Sequence, residues 1–252
     1  MQLQQPVLTK IDLLEANLFR KIWEAFKIWR YYLFCFRQAL KRAYRLMGDR
    51  YTHFSMYDHI DLGTFKYDEK LQKPRGKDVN GEYFSYGYQL DFKEMPESIQ
   101  NYVIKILPVV EMYLGSKCLI SKPNLWKNLH IPTQYFGKDI FSECFHQDLV
   151  IDQYNMQLFI LLHDTDETQG PFEYLDYEIQ SKDMDYFHKR NRVIPKSTSH
   201  RLTGKRGDSL LFSTGSTLHR AGNPEKGKTR DILSIAFFPE YTGIGQRLES
   251  LR

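Results

Sequence analysis

The run Arg230-Asp-Ile-Leu-Ser-Ile-Ala-Phe-Phe238 is β-branched and aromatic along its length and stops at Pro239, so it reads as a strong β-strand. Two further strands are expected ahead of it, Asp208-Ser-Leu-Leu-Phe212 and Thr217-Leu-His-Arg-Ala221, with Gly222 to Gly227 supplying turn chemistry around Pro224. The expected unit is a hairpin folded about Pro224-Glu225, which brings Arg230 nearly opposite His219. This reading also decides a competing motif. Gly222 to Thr229 satisfies the phosphate-loop pattern G-x-x-x-x-G-K-[ST], whose alternative is a nucleotide-binding protein. A phosphate loop must open a helix whose N-terminus receives the phosphates. Here a strand follows, and the chain lacks the repeated strand-helix alternation of a parallel sheet.

His146-Gln147-Asp148, with His219 and Arg230 downstream, carries the chemistry. Two histidines and one carboxylate can occupy one face of an octahedral Fe(II), leaving three positions for a chelating co-substrate and dioxygen. Phe141 to Asp148 is short, aromatic and bounded by Gly137-Lys138-Asp139, so it reads as a strand on which residues 146 and 148 share a face. An arginine beside an iron-bound histidine can fork onto the far carboxylate of a dicarboxylate whose other end chelates the metal, a description that fits 2-oxoglutarate. Taken singly, each residue has a plainer reading: a lone His-x-Asp among eight histidines is usually chance, and His219 alone can be a satisfied core histidine. His163 reads as structural or as a supporting neighbour of the site. Asp164, Asp166 and Glu167 lack the other ligand positions of a calcium loop and read as a solvated turn.

The ordered set Phe145-His-Gln-Asp148, Leu162-His-Asp-Thr-Asp-Glu167 with Gly170-Pro-Phe-Glu-Tyr174, Gly207-Asp-Ser-Leu-Leu-Phe212, Leu218-His-Arg-Ala-Gly222 and Arg230 resembles the phytanoyl-CoA dioxygenase-like family of Fe(II)/2-oxoglutarate oxygenases, over about residues 125 to 240. The resemblance implies a mainly β fold with added helices, built on a double-stranded β-helix (jelly-roll, cupin-like). It also implies His146, Asp148 and His219 on iron, Arg230 on 2-oxoglutarate, and hydroxylation of an aliphatic C–H in a small or medium organic substrate. Related halogenases lack the carboxylate, so Asp148 disfavours halogenation. Gln134, on the strand expected before the first ligands, is a further candidate for holding 2-oxoglutarate. One departure falls on the substrate side: where the family continues with Pro-Gly-Ser-His, this chain has Leu175-Asp-Tyr-Glu-Ile179. A jelly-roll that binds metal or 2-oxoglutarate without turnover is the alternative.

The 252 residues, 42% hydrophobic, suffice for one enzyme-sized core spanning residues 49–252. Three widely spaced cysteines, no secretory signal and no long apolar run lead to an expected cytoplasmic, reduced protein. Residues 1–48 differ: Ile11 to Met47 has no Gly or Pro and repeats apolar residues at helical spacing, so an amphipathic helix with a basic face is expected. Such a helix packs on the core or lies peripherally on an anionic membrane. Residues 49–95 read as irregular, with turns at Lys73-Pro-Arg-Gly76 and Asn80-Gly81, and a helix is expected from Pro96 to about Leu114. From His188 to Arg206 there are seven lysines or arginines and no acid. This stretch is either a solvated loop or the border of a pocket for a phosphate-, carboxylate- or CoA-bearing substrate. The modest net charge of +4 gives no support for a nucleic-acid partner.

Overall fold

The computed structural model describes residues 54–175 and 199–251, apart from 77, 136–137, 139, 141, 147, 149–154 and 216, together with Trp29 and Leu33. The chain divides into two units, Met1–Arg50 and Tyr51–Arg252. In the first, Trp29 and Leu33 are helical and exposed, and the rest of the expected amphipathic helix lies outside the described residues. Everything below concerns the second unit.

Its described strands are β1 (Ser55–His59), β2 (Lys73–Arg75), β3 (Ser85–Gln89), β4 (Cys118–Ile120), β5 (Asn124–Leu129), β6 (Met156–Leu161), β7 (Phe172–Leu175), β8 (Ser199–Leu202), β9 (Asp208–Phe212), β10 (His219–Ala221) and β11 (Thr229–Pro239). They form an eight-stranded sheet ordered β1-β9-β6-β11-β5-β3-β2, with β4 also on β11, and a three-stranded sheet ordered β10-β7-β8. All pairings are antiparallel. Two described helices accompany them, α1 (Glu97–Leu114), which ends at Leu114 as expected and is capped by Gly115, and the short α2 (Leu248–Leu251). Among the described residues no helix is long and apolar enough to cross a membrane.

Strand alternation assigns the two faces of the large sheet. From β11, Leu233, Ile235 and Phe237 join Leu125, Leu158 and Ile160 in a core with Ile99, Val103, Ile106 and Val110 of α1. The alternate residues of β11, from Arg230 through Ile232, Ser234 and Ala236 to Phe238, line a cavity on the other face. A second cluster of Leu161, Phe172, Tyr174, Leu202, Leu210, Phe212 and Ile232 joins the small sheet to the large one. Burying about 1.5 to 3 kcal/mol of apolar side chain at each such position is what holds the two layers together.

Three sequence expectations are corrected. The strands bearing His219 and Arg230 do not pair as a hairpin: β10 lies in the small sheet and β11 in the large one. The intervening segment is tied elsewhere. Asn223 both accepts from Ile131 N (2.7 Å) and donates to Ile131 O (3.0 Å), and Gly222 N donates to Pro171 O. These bonds turn residues 222–228 into a crossover between layers. Thr217 and Leu218 precede β10 rather than belonging to it. Finally, the irregular text of residues 49–95 contains β1, β2 and β3. Lys73-Pro-Arg is the edge strand β2, where Pro74 is tolerated, and Asn80-Gly81 does form a turn, between bridged Val79 and Glu82.

Candidate metal centre

His146 and His219 face each other across a doubly hydrogen-bonded antiparallel bridge, with both N to O distances 2.9 Å. Among the described residues, the expected strand over Phe141 to Asp148 is reduced to that one bridge. Ser142 accepts from Ala221 N, so four residues of this segment pass two of β10, and Ser142 adopts a left-handed φ of 64°. The segment therefore bulges, but it still directs residues 146 and 148 to one side. Asp148 is anchored by its N to Thr214 O (3.2 Å) and receives a hydrogen bond from Gln157 Nε2 at 3.3 Å.

His146 Nε2 and His219 Nε2 stand 3.6 and 3.7 Å from Asp148 Oδ1, and one ligand atom from each of the three residues lies within 4.8 Å of the others. The tautomers are fixed by the backbone. His146 Nδ1 donates to Cys144 O (2.8 Å) and His219 Nδ1 to Thr217 O (2.8 Å), which leaves both Nε2 lone pairs directed at the common point. Burial pushes His219 down to about 4, against the pull of Asp148, so its imidazole is neutral. Burial raises Asp148, yet the influence of its two histidine neighbours, His146 and His219, outweighs it and holds the carboxyl below the usual carboxylate range. A carboxylate and two neutral imidazoles are the protonation states a divalent metal requires. The donor set and its spacing fit such an ion, and among mixed N/O sites this two-histidine, one-carboxylate group with an open side suits non-heme Fe(II).

The three residues line a cavity of about 680 Å³, and Arg230 lines the same cavity from β11. Burial pushes the Arg230 guanidinium down to about 10, opposed by Glu173 and Asp231, so it remains a cation at neutral pH. Its Nη1 donates to Gly170 O at 3.0 Å. The other walls combine aromatic groups, Trp126, Phe159, Phe172 and Phe238, with neutral polar ones such as Ser85, Asn124 and Asn128. Sequence reading missed Gln157, Ser85 and Asn128, which stand on unremarkable strand text. Their only signal is alternation on strands that face Arg230.

Gln134 lies exposed on the single 3-10 turn Thr133–Tyr135 rather than on a strand, and it is not among the cavity's lining residues. His163 is structural: its Nε2 accepts from Asp231 N at 3.0 Å while Nδ1 donates to Asp164 O. Asp164 binds Lys205 and Arg206 N, and Asp166 caps the 3-10 turn Glu167–Gln169, so the acidic turn is spent internally. Of the basic stretch, Arg201 pairs with Glu167 and Glu173, and Arg206 donates to Gly63 O and Phe65 O. Lys189, Arg190, Arg192 and Lys196, like residues 176–179 of the divergent segment, lie outside the described residues. Lys228, the phosphate-loop lysine, leads into β11 and not into a helix.

No family model and no curated protein matches the chain. Among solved structures it is similar to the non-heme alpha-ketoglutarate-dependent epimerase SnoN from nogalamycin biosynthesis (12% identity, 66% of each chain covered, TM-score 0.45). It is also similar to the alpha-ketoglutarate-dependent carbocyclase SnoK from nogalamycin biosynthesis (12% identity, 68% of this chain and 69% of that one, TM-score 0.48). A third is HygX from Streptomyces hygroscopicus with nickel, 2-oxoglutarate and hygromycin B bound (13% identity, 73% and 87% covered, TM-score 0.43). The matched region spans 66% of the epimerase and 51% of the non-heme monooxygenase ThoJ.

Proposed function

We propose that the protein is an Fe(II)- and 2-oxoglutarate-dependent dioxygenase that hydroxylates an aliphatic C–H bond of a small or medium organic substrate. The observation that carries this reading is the convergence of His146 Nε2, His219 Nε2 and Asp148 Oδ1 in one cavity with the buried cation Arg230. Two facing antiparallel sheets with the ligands on the small one and its approach segment support a double-stranded β-helix. The resemblance to phytanoyl-CoA dioxygenase-like oxygenases points the same way.

In this reading His146, Asp148 and His219 hold the iron, and Arg230 holds the distal carboxylate of 2-oxoglutarate. When bound, iron with 2-oxoglutarate and dioxygen supplies the oxidising power, releasing succinate and carbon dioxide. The chain's own contributions are positional. The backbone carbonyls of Cys144 and Thr217 fix the imidazole planes, and Gln157 steadies the second oxygen of Asp148. Phe172 and Phe212 pack against the His219 ring, with Phe159 against both of them, and keep water from that side of the centre. The neutral aromatic and amide walls suit an uncharged portion of the substrate, held beside the metal without bonding to it. A charged handle on the substrate would have to be met outside these walls, and by sequence the basic stretch from His188 to Arg206 is the candidate.

The test is an anaerobic titration of the protein with Fe(II) and 2-oxoglutarate, read by the visible charge-transfer band of the chelate. The parent should develop the band, and His219→Ala should not, because three protein ligands are the minimum for this site. A folded parent that gives no band, or a His219→Ala variant that gives the full one, would remove the assignment.

A further inference from the structure

Arg230 does not stand alone on its wall. In the register of the large sheet it is paired with Asn128 on β5, and Asn128 is paired in turn with Ser85 on β3. The three side chains thus form one row across adjacent strands, all lining the cavity and all buried, at 5%, 4% and 1% exposure. Paired residues of antiparallel strands have Cα atoms about 4.5 to 5.5 Å apart, so the guanidinium and the amide lie side by side. Ser85 Oγ donates to Asn128 Oδ1 at 3.0 Å, which sets the amide so that its Nδ2 donor is turned away from Ser85. That Nδ2 makes no hydrogen bond to any described residue, and neither do the arms of Arg230 other than Nη1. Neither this Nδ2 nor the other Arg230 nitrogens are among the fully buried described atoms that lack a partner, so these donors open onto the cavity, where an acceptor arriving from outside the chain can reach them.

On the reading of the site as a 2-oxoglutarate centre, we infer that Asn128, oriented by Ser85, is a second arm of the co-substrate clamp and selects a keto acid with a distal carboxylate. A carboxylate offers two oxygens and about four lone-pair directions. One oxygen meets the free edge of the Arg230 guanidinium, and the other accepts from Asn128 Nδ2. Arg230 supplies the charge, and Asn128 supplies the direction in which the carboxylate must lie. Ser85 is a positioning residue that acts through the amide. A keto acid without the distal carboxylate still chelates the metal but gains nothing from the row.

The experiment measures anaerobic binding to the Fe(II)-loaded protein, by the charge-transfer band, of 2-oxoglutarate and of pyruvate, which lacks the distal carboxylate. Binding is read rather than turnover. Asn128→Ala should weaken 2-oxoglutarate about 10- to 100-fold, the range for one hydrogen bond to an ionised group, with pyruvate unchanged. Asn128→Asp, which sets a carboxylate against a carboxylate, should weaken it further. Ser85→Ala should produce a smaller loss confined to 2-oxoglutarate. Unchanged pyruvate binding shows in the same assay that each variant is folded and holds iron. Asn128→Ala binding 2-oxoglutarate as tightly as the parent overturns the inference, as does an equal loss for both keto acids, which is the signature of a merely structural residue. A parent that binds neither keto acid defeats the proposed function itself and takes this inference with it.

Discussion

Gly170 and Gly222 meet where the turn before β7 crosses the segment after β10, and replacing them tests how tightly that crossing holds the site. A methyl group added at Gly170 would stand 2.3 Å from Pro224 N and 2.4 Å from Asn223 C, both backbone atoms, at a φ of 62°. One added at Gly222 would stand 2.3 Å from Pro171 O without an unfavourable φ, and one added at Gly227 would meet nothing within 4 Å but at a φ of 81°. The three alanine variants therefore separate the two penalties. Gly227→Ala should cost about 1 kcal/mol for the left-handed backbone alone. Gly222→Ala should cost about 1 to 3 kcal/mol for overpacking alone. Gly170→Ala carries both and should lose about 2 to 4 kcal/mol, a sizeable part of a typical stability of about 5 to 15 kcal/mol. Urea unfolding gives the differences, and melting should fall by about 2 to 4 °C per kcal/mol for a chain of this size. Because Arg230 Nη1 donates to Gly170 O, Gly170→Ala should also weaken 2-oxoglutarate binding, and Gly227→Ala should not. Equal losses for Gly170→Ala and Gly227→Ala would mean that the crossing has slack and that the contact distances do not govern stability.

Two further outcomes are expected. Burial pushes the Cys118 thiol up to about 12, so less than about one part in a thousand is thiolate at pH 8, and iodoacetamide should modify Cys118 only after unfolding; rapid labelling of Cys118 in native buffer, located by mass spectrometry, would contradict the buried placement. On the outer face of the small sheet, Glu173 is bonded to Arg220 at 2.8 Å and faces Arg201 at 3.4 Å, so Glu173→Ala strands Arg220, leaves Arg201 with Glu167 alone and should cost about 2 to 4 kcal/mol, whereas Arg220→Ala, with a partly exposed side chain, should cost less. Denaturant midpoints that rank the two variants the other way would show that the cluster is held by something other than Glu173.

The parts legible in the sequence were those in which one residue type has one strong chemical use. His146, Asp148, His219 and Arg230 stand out as a set, and the structure brings all four to one cavity. The strands β9 and β11 and the helix α1 were legible for a related reason, since dense β-branched or helix-periodic text leaves few alternatives. The partner of β11 was not legible. A Gly-Asn-Pro-Glu segment is compatible with a tight turn or a crossover, and the choice is made by Asn223 bonding to Ile131, 92 residues away. The edge strands β1 and β2 were hidden because neither alternates: both are almost wholly exposed, and one contains a proline. Gln134 was misplaced because its neighbours Ile131-Pro-Thr-Gln-Tyr look extended but close into a single 3-10 turn. Asn128 and Ser85 carried no motif at all, because what singles them out is register across three strands.

The strand β11 is read on both sides, Arg230, Ser234 and Ala236 into the cavity and Leu233, Ile235 and Phe237 into the helix-covered core. Its text therefore behaves like a reading frame. A one-residue slip of its register would exchange its positions between the two faces, sending Arg230 to the other side and Thr229 or Asp231 into its place, while polar groups entered the core. Lineages that keep this fold can vary β11 by substitution but not by length. Changes in reaction must then accumulate at its even-numbered positions, and changes in chain length must be absorbed by segments such as 222–228 that lie outside the frame.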